Sequence, residues 1–243
     1  MVVQRSQSRF STNVAWLASR HCFSFGQHYD QTNTHFGLLM VSNDDIVAPG
    51  AGFDTHPHRD MEIVTWVLSG SLVHQDSQGN NGVIYPGLAQ RMSAGRGILH
   101  SEKNDSWRLT GTPEHSDPVH FIQMWVLPDT PGINPGYQQL DINDQLDSTG
   151  LAVVASGLAE HSHTTAIRIA QSRAGLLAGR LAPGERQGLP TAPRLHLFVA
   201  VGAVELESGE RLEAGDSARM SESGGIAVTA GSAGAEILVW QMH

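Results

Sequence analysis

Two pairs of side chains in this sequence have a spacing that could do chemistry: His56 with His58, and His100 with Glu102. Side chains at i and i+2 of a β-strand share a face, so each pair points one way. On facing strands of a barrel the two pairs would converge on one interior point. Neutral imidazoles with a carboxylate suit a divalent transition metal, whether Fe(II), Ni, Co, Mn, Cu or Zn, with positions left over for a ligand or water. The mixed nitrogen and oxygen set argues against a closed structural zinc site. Glu62 has the parity of His56 and His58 and competes with Glu102 as the carboxylate; it would otherwise orient a histidine. Gly50 and Gly70 bracket the first pair, and Gly95 and Gly97 allow a sharp turn before the second.

The elements that must carry these pairs are strands. Segments of period-two alternation lie between Gly, Pro, Asn or Asp turns. They include 36–42, 62–68, 71–75, 83–85, 90–93 and 119–127, and the polar triplet Asn43-Asp44-Asp45 is expected to form a turn after the first. Strands at this density predict a closed barrel or jelly roll. Residues 129–139 are rich in Pro and Gly and suggest a domain connection, so residues 1–130 are expected to form a metal-binding domain and 131–243 a second one. The second half restarts the same texture. Residues 195–202 followed by 203–207 echo 64–70 followed by 71–74, each an apolar strand, a glycine and a short strand. Helix is sparse: a turn or two is expected over 14–20 and a short helix near 138–146.

Composition removes several classes of function. The chain has 243 residues and a net charge of −9, with Lys103 as its only lysine and no basic run. A phosphate backbone would find no cationic stripe to neutralise, so direct nucleic-acid binding is not expected, although a protein partner remains open. No apolar run reaches the roughly 20 residues that span a bilayer, and no secretory signal is visible, which points to a cytoplasmic protein without a membrane association. The single cysteine, Cys22, cannot form an internal disulfide or a thiolate cluster, and its aromatic neighbours suggest a small buried hydrophobe. His161 and His163 have ligand spacing but a loop-like context. His196 is expected as a solvated or core strand residue, and His74 to Ser77 as a turn held by local hydrogen bonds. Phe53, Trp66, Ile98, Met124 and Trp125 are candidates to line an apolar pocket above the metal.

The segments 50–70 and 97–104 resemble the two motifs of cupins. More narrowly, His56-Pro57-His58-Arg59-Asp60-Met61-Glu62, then 74–80 and 92–102, resemble the pirin family, as does His21-Cys22-Phe23-Ser24-Phe25-Gly26 with Tyr29-Asp30. The resemblance is specific over residues 14–137 and weak beyond. It implies an all-β bicupin: two jelly-roll β-barrel domains with few short helices. The second half offers no His-x-His on a strand, so that domain is expected to be degenerate and without metal. The resemblance implies a single metal, usually Fe(2+), on His56, His58, His100 and Glu102, which favours Glu102 over Glu62. It implies an oxidoreductase of the quercetin 2,3-dioxygenase type, with a small aromatic flavonol and dioxygen as substrates; Glu102, a ligand at rest, is expected to swing off and act as the catalytic base. Other members resemble transcriptional coregulators, so a metal-dependent redox sensor or protein-binding module without turnover is the competing expectation. Cupins host many chemistries, and an isomerase is a third.

Overall fold

The computed structural model describes residues 1–148 and 150–243. The expected strands form and assemble into two barrels of one topology. In the first half a seven-stranded antiparallel sheet has the order Gly136–Asp141, Leu88–Ser93, Glu62–Ser69, Val119–Val126, Leu39–Val47, Leu17–His21, Phe10–Val14. It faces a four-stranded sheet of order Gly52–His58, Ile98–Lys103, Leu72–Asp76, Asn81–Ile84. In the second half the series Ser217–Ser223, Ala192–Leu206, Ala227–Met242, Ala174–Leu181 repeats the central four strands of the seven-stranded sheet.

Gly70 and Gly202 show what the sequence echo encodes. Gly70 has φ +74° and Gly202 φ +73°. A Cβ on Gly70 would lie 2.7 Å from the carbonyl oxygen of Pro118, and one on Gly202 would lie 2.1 Å from that of Gly234. Gly70 turns its strand beside the start of Val119–Val126 and Gly202 beside the middle of Ala227–Met242, each in a place only glycine can occupy.

Alternation along the strands serves two covered faces. Val67 and Phe121 point into the first barrel with Leu72, Ile84 and Val119. Val64, Trp66, Ile122 and Met124 point the other way and pack against Leu176, Phe198 and Trp240 of the second barrel. Each of these fully buried apolar side chains contributes about 1.5–3 kcal/mol. The barrels also exchange edges. Val2–Gln4 pairs with Ser217–Ser223 of the second sheet, and Gly136–Asp141 pairs with Leu88–Ser93 of the first.

Two helix expectations change. Residues 14–20 do not form a helical turn; Phe10–Val14 and Leu17–His21 are paired strands. Near 138–146, Gly136–Asp141 is a strand and only Asn143–Leu146 is helical. Among the described residues no helix is long and apolar enough to cross a membrane.

Candidate metal centre

His56 and His58 lie on Gly52–His58, and His100 and Glu102 on the antiparallel neighbour Ile98–Lys103, with His100 opposite His56. The ring centroids of the three histidines are 4.8 Å (His56–His58), 4.5 Å (His56–His100) and 4.9 Å (His58–His100) apart. One nitrogen from each lies within 4.8 Å of the other two, so the three could hold a metal ion. His74, His100 and Glu102 form a second such group, sharing His100.

The chemistry of the donor set fits an ion. His56 Nδ1 lies 2.7 Å from the carbonyl oxygen of Asp54. A carbonyl only accepts, so Nδ1 carries the proton and Nε2 keeps its lone pair. His58 Nε2 and both ring nitrogens of His100 are buried without a partner, a costly arrangement unless something else meets them. Burial, then the neighbouring His100 and His56, pushes His58 down to about 4. Burial, then His56 and His74, pushes His100 down to about 3. Both rings are therefore neutral near neutral pH, as metal ligation requires.

Glu102 is held from the facing sheet. Gln123 Nε2 donates to both carboxylate oxygens, at 2.9 and 2.8 Å, and Trp125 Nε1 donates to Gln123 Oε1 at 3.1 Å. Because the amide oxygen is engaged by the indole, the amide nitrogen is the atom presented to Glu102. Trp125 also sets its edge against His58, with ring centroids 4.8 Å apart.

A β-bulge lies between His100 and Glu102 where their strand pairs with Gly52–His58. Gly52 makes it possible: at φ +151°, a Cβ there would sit 2.2 Å from the carbonyl oxygen of Glu102. Gly52→Ala is expected to lower unfolding stability by about 1–3 kcal/mol, read from the urea midpoint at unchanged m-value. An unchanged midpoint would show that the bulge tolerates a side chain.

Glu62 goes elsewhere. Asp60 takes φ +50° at the corner between Gly52–His58 and Glu62–Ser69, so parity does not carry across it. Glu62 shares a face with Val64 and Trp66, toward the second barrel, where its Oε2 accepts from the backbone N–H of Ala170 at 2.9 Å. Among the described residues it has no hydrogen bond to a histidine, so the expected orienting role is not made.

A cavity of about 820 Å³ opens beside the histidines, lined in part by Phe53, His56, His58, Glu102, Gln123 and Trp125. Of the five expected pocket residues, Phe53 and Trp125 line it. Trp66 and Met124 are core between the barrels, and Ile98 packs on Ile63, Met92 and Ala94.

The structure adds residues that the spacing did not single out. His74 is buried behind His100, with its Nε2 3.2 Å from Asp76 Oδ2 and its ring stacked on Tyr137. His74 to Ser77 is not a turn as expected: His74 to Asp76 end the strand Leu72–Asp76, and the turn starts at Asp76, which accepts from the backbone N–H groups of Gln78 and Asn80. Asn43-Asp44-Asp45 is not a turn. It lies in the middle of the nine-residue strand Leu39–Val47, with Asn43 and Asp45 on the cavity wall. Burial raises the Asp45 carboxyl to about 7, against the effect of a hydrogen bond from Ser19. His161 is bonded to Ser156, and His196 is buried in its strand beside Phe23. Cys22 is buried, as its aromatic neighbours suggested.

The second barrel repeats the three-strand pairing and changes the residues. His100 pairs with both His56 and Asp76; in the second barrel the buried Val228 pairs with both Gln187 and Leu206, as the exposed Thr229 does with Arg186 and Glu205. Ala230 lies two residues beyond Val228, as Glu102 lies two beyond His100.

The sequence model of the pirin family matches residues 3–126. The chain belongs to the pirin family. A second model, described as the quercetinase C-terminal cupin domain, matches residues 153–242. A Mycobacterium tuberculosis protein named "Putative quercetin 2,3-dioxygenase" is 54% identical over 241 residues, covering 99% of this chain and 94% of its own. The Escherichia coli protein named quercetin 2,3-dioxygenase is 44% identical over 137 residues, 56% of each chain. Among solved structures, E. coli YhhW superposes with TM-score 0.87 at 32% identity, covering 100% of this chain and 97% of that one. The same bacterial pirin solved in complex with nickel(II) gives 0.86 at 32% identity, covering 99% and 98%. The bicupin architecture of pirins is thus the fold of this chain, and its His/Glu cluster is the part of it that could hold a metal.

Proposed function

We propose that this pirin is a metal-dependent dioxygenase that opens the heterocycle of a flavonol such as quercetin, with the ion, Fe(2+) in the first instance, on His56, His58, His100 and Glu102. The observation that carries this reading is the set of three convergent imidazoles, with His58 Nε2 and both His100 ring nitrogens buried and unpartnered among the described residues, beside a cavity large enough for a flavonol. A bound divalent transition metal would supply Lewis acidity toward a hydroxyl oxygen and an electron path to dioxygen. Glu102 would accept the proton of the flavonol 3-hydroxyl, acting as general base. Its two contacts from Gln123 hold the carboxylate aimed before the substrate arrives. Phe53 and Trp125 offer flat apolar surface to the ring system and exclude water from it. One dioxygen is consumed for each carbon monoxide released. The second barrel, with Val228 and Ala230 at the corresponding register, acts as a packing partner without an ion of its own.

The test loads the protein separately with Fe, Ni, Co, Mn and Cu and follows quercetin absorbance under air. Metal-dependent loss with at least one ion is expected. Absence of loss with all five would exclude the flavonol reading and leave the redox-sensor reading, for which capture of a protein partner should differ between ferrous and ferric forms.

A further inference from the structure

The inner face of the seven-stranded sheet carries a polar row where its neighbours are apolar. Thr65, Gln123, Asn43 and His21 are in cross-strand register, each opposite the next. The next row holds Phe121, Asp45 and Ser19, likewise in register. All but Phe121 among these line the cavity or contact Glu102 directly. Along Leu39–Val47 the inward positions run Val41, Asn43, Asp45, Val47. An Asn–Asp pair thus interrupts an apolar face at the depth of Glu102.

Most of the row is internally satisfied, and what is left over is specific. Asn43 Oδ1 lies 2.9 Å from His21 Nδ1, which must therefore carry the proton, and His21 Nε2 lies 3.0 Å from the Thr12 hydroxyl. Asn43 is then oriented with its amide nitrogen free to donate. Asp45 is 3% exposed, and its Oδ1 is buried with no partner. The wall therefore offers an unmet carboxyl oxygen, an acceptor in its ionised form, beside one amide donor. A hydroxyl group matches this pair, because it can donate to Asp45 and accept from Asn43. An ether or a bare aromatic edge leaves the Asp45 acceptor unmet, at the cost of an unsatisfied buried polar atom.

We infer that Asn43 and Asp45 form a hydroxyl-recognition subsite of the cavity, selecting aromatic ligands that carry a phenolic hydroxyl in addition to the one presented to the histidines. This rests on the proposed flavonol reading and narrows it to polyhydroxylated members. Asp45 is a specificity residue here, and it takes no part in the proposed proton transfer.

The test measures binding without turnover, on nickel(II)-loaded protein under anaerobic conditions, by titration calorimetry and ligand-observed NMR. Two probe pairs are used, each keeping one hydroxyl for the histidines: quercetin against 3-hydroxyflavone, and catechol against its monomethyl ether, guaiacol. The wild type is expected to favour the more hydroxylated member of each pair by about tenfold or more, as for a single buried hydrogen bond. Asp45→Leu is expected to bring both ratios near unity while leaving 3-hydroxyflavone binding within about twofold. It is also expected to melt at a higher temperature than the wild type, because an unmet buried carboxyl is removed; a purely structural Asp45 would lower it. Asp45→Asn keeps the shape should the leucine variant fail to fold. With Ser19 holding its amide oxygen, the amide nitrogen replaces Oδ1, so the catechol advantage should vanish and guaiacol should gain. Ratios that persist in both variants overturn the proposal, as does a wild type with no preference in either pair. If quercetin survives under air while the ratios behave as expected, the subsite stands and the oxygenase reading falls. If wild type and Asp45→Leu consume quercetin alike and keep equal ratios, the oxygenase reading stands and the subsite falls.

Discussion

His100→Leu is expected to strip the protein of its metal and to lower flavonol turnover about a thousandfold, equivalent to about 4 kcal/mol of transition-state stabilisation. His100 is the common member of both candidate ligand groups, so no regrouping of the others rescues the site. The same change should not harm the empty protein. His100 is 2% exposed and neither ring nitrogen has a partner, so in the metal-free fold the imidazole is a buried polar group that costs about 1–3 kcal/mol. Leucine removes that cost at a similar volume. The metal-free variant should therefore melt no lower than the metal-free wild type, while elemental analysis after loading reads near zero ion per chain. Glu62→Gln supplies the contrast, since its carboxylate serves Ala170 in the second half of the chain. It should retain the ion. A His100→Leu protein that still binds metal and turns over substrate would remove the basis of the proposed function.

The pairs at 56/58 and 100/102 were legible because strand parity is local: two residues on one strand share a face whatever the rest of the chain does. Parity failed wherever a decision depended on a second element. Glu62 matched His56 and His58 by counting, yet the left-handed corner at Asp60 places it on another strand facing the second barrel. Trp66 and Met124 alternate correctly, but their sheet is covered on both faces, and alternation names the face without saying what lies against it. Asn43-Asp44-Asp45 has turn composition, and its strand is held by neighbours remote in sequence, Arg20 and Ile122 among them. Polar residues that belong to a cavity wall are the ones that local propensity assigns to solvent. His74, expected in a turn, and Gln123 belong to the site through contacts with His100 and with Glu102, and no spacing encodes such contacts.

The same strand ties the site to the way the two barrels are joined. Asn43 and Asp45 face the cavity, so Asp44 faces out. There it accepts from Arg9 at 2.7 Å and from His120 Nε2 at 2.6 Å. The Arg9 side chain is fully buried, with its guanidinium 5.3 Å over the ring of Phe198 in the second barrel. It belongs to the N-terminal segment whose first strand, Val2–Gln4, completes the second sheet. Arg9 thus connects the back of the cavity wall to the other barrel.

Breaking one side of such a pair leaves an uncompensated buried charge. Arg9→Met is expected to lower unfolding stability by about 3–5 kcal/mol, whereas exchanging both partners for neutral groups of similar shape is close to neutral in comparable sites. A double-mutant cycle with Asp44→Asn should therefore be strongly non-additive, with the double variant more stable than the sum of the single losses by more than about 2 kcal/mol. Asp44→Asn leaves His120 an amide oxygen but removes the charge that strengthens its bond, so this change alone also weakens the junction between Leu39–Val47 and Val119–Val126. Those are the strands that carry Asn43, Asp45, Gln123 and Trp125, and the functional consequence should appear in ligand binding rather than in metal content. Arg9→Met should keep its ion and bind the flavonol more weakly. Additive losses across the cycle, or ligand affinity unchanged at reduced stability, would mean that the strap and the cavity wall are mechanically independent.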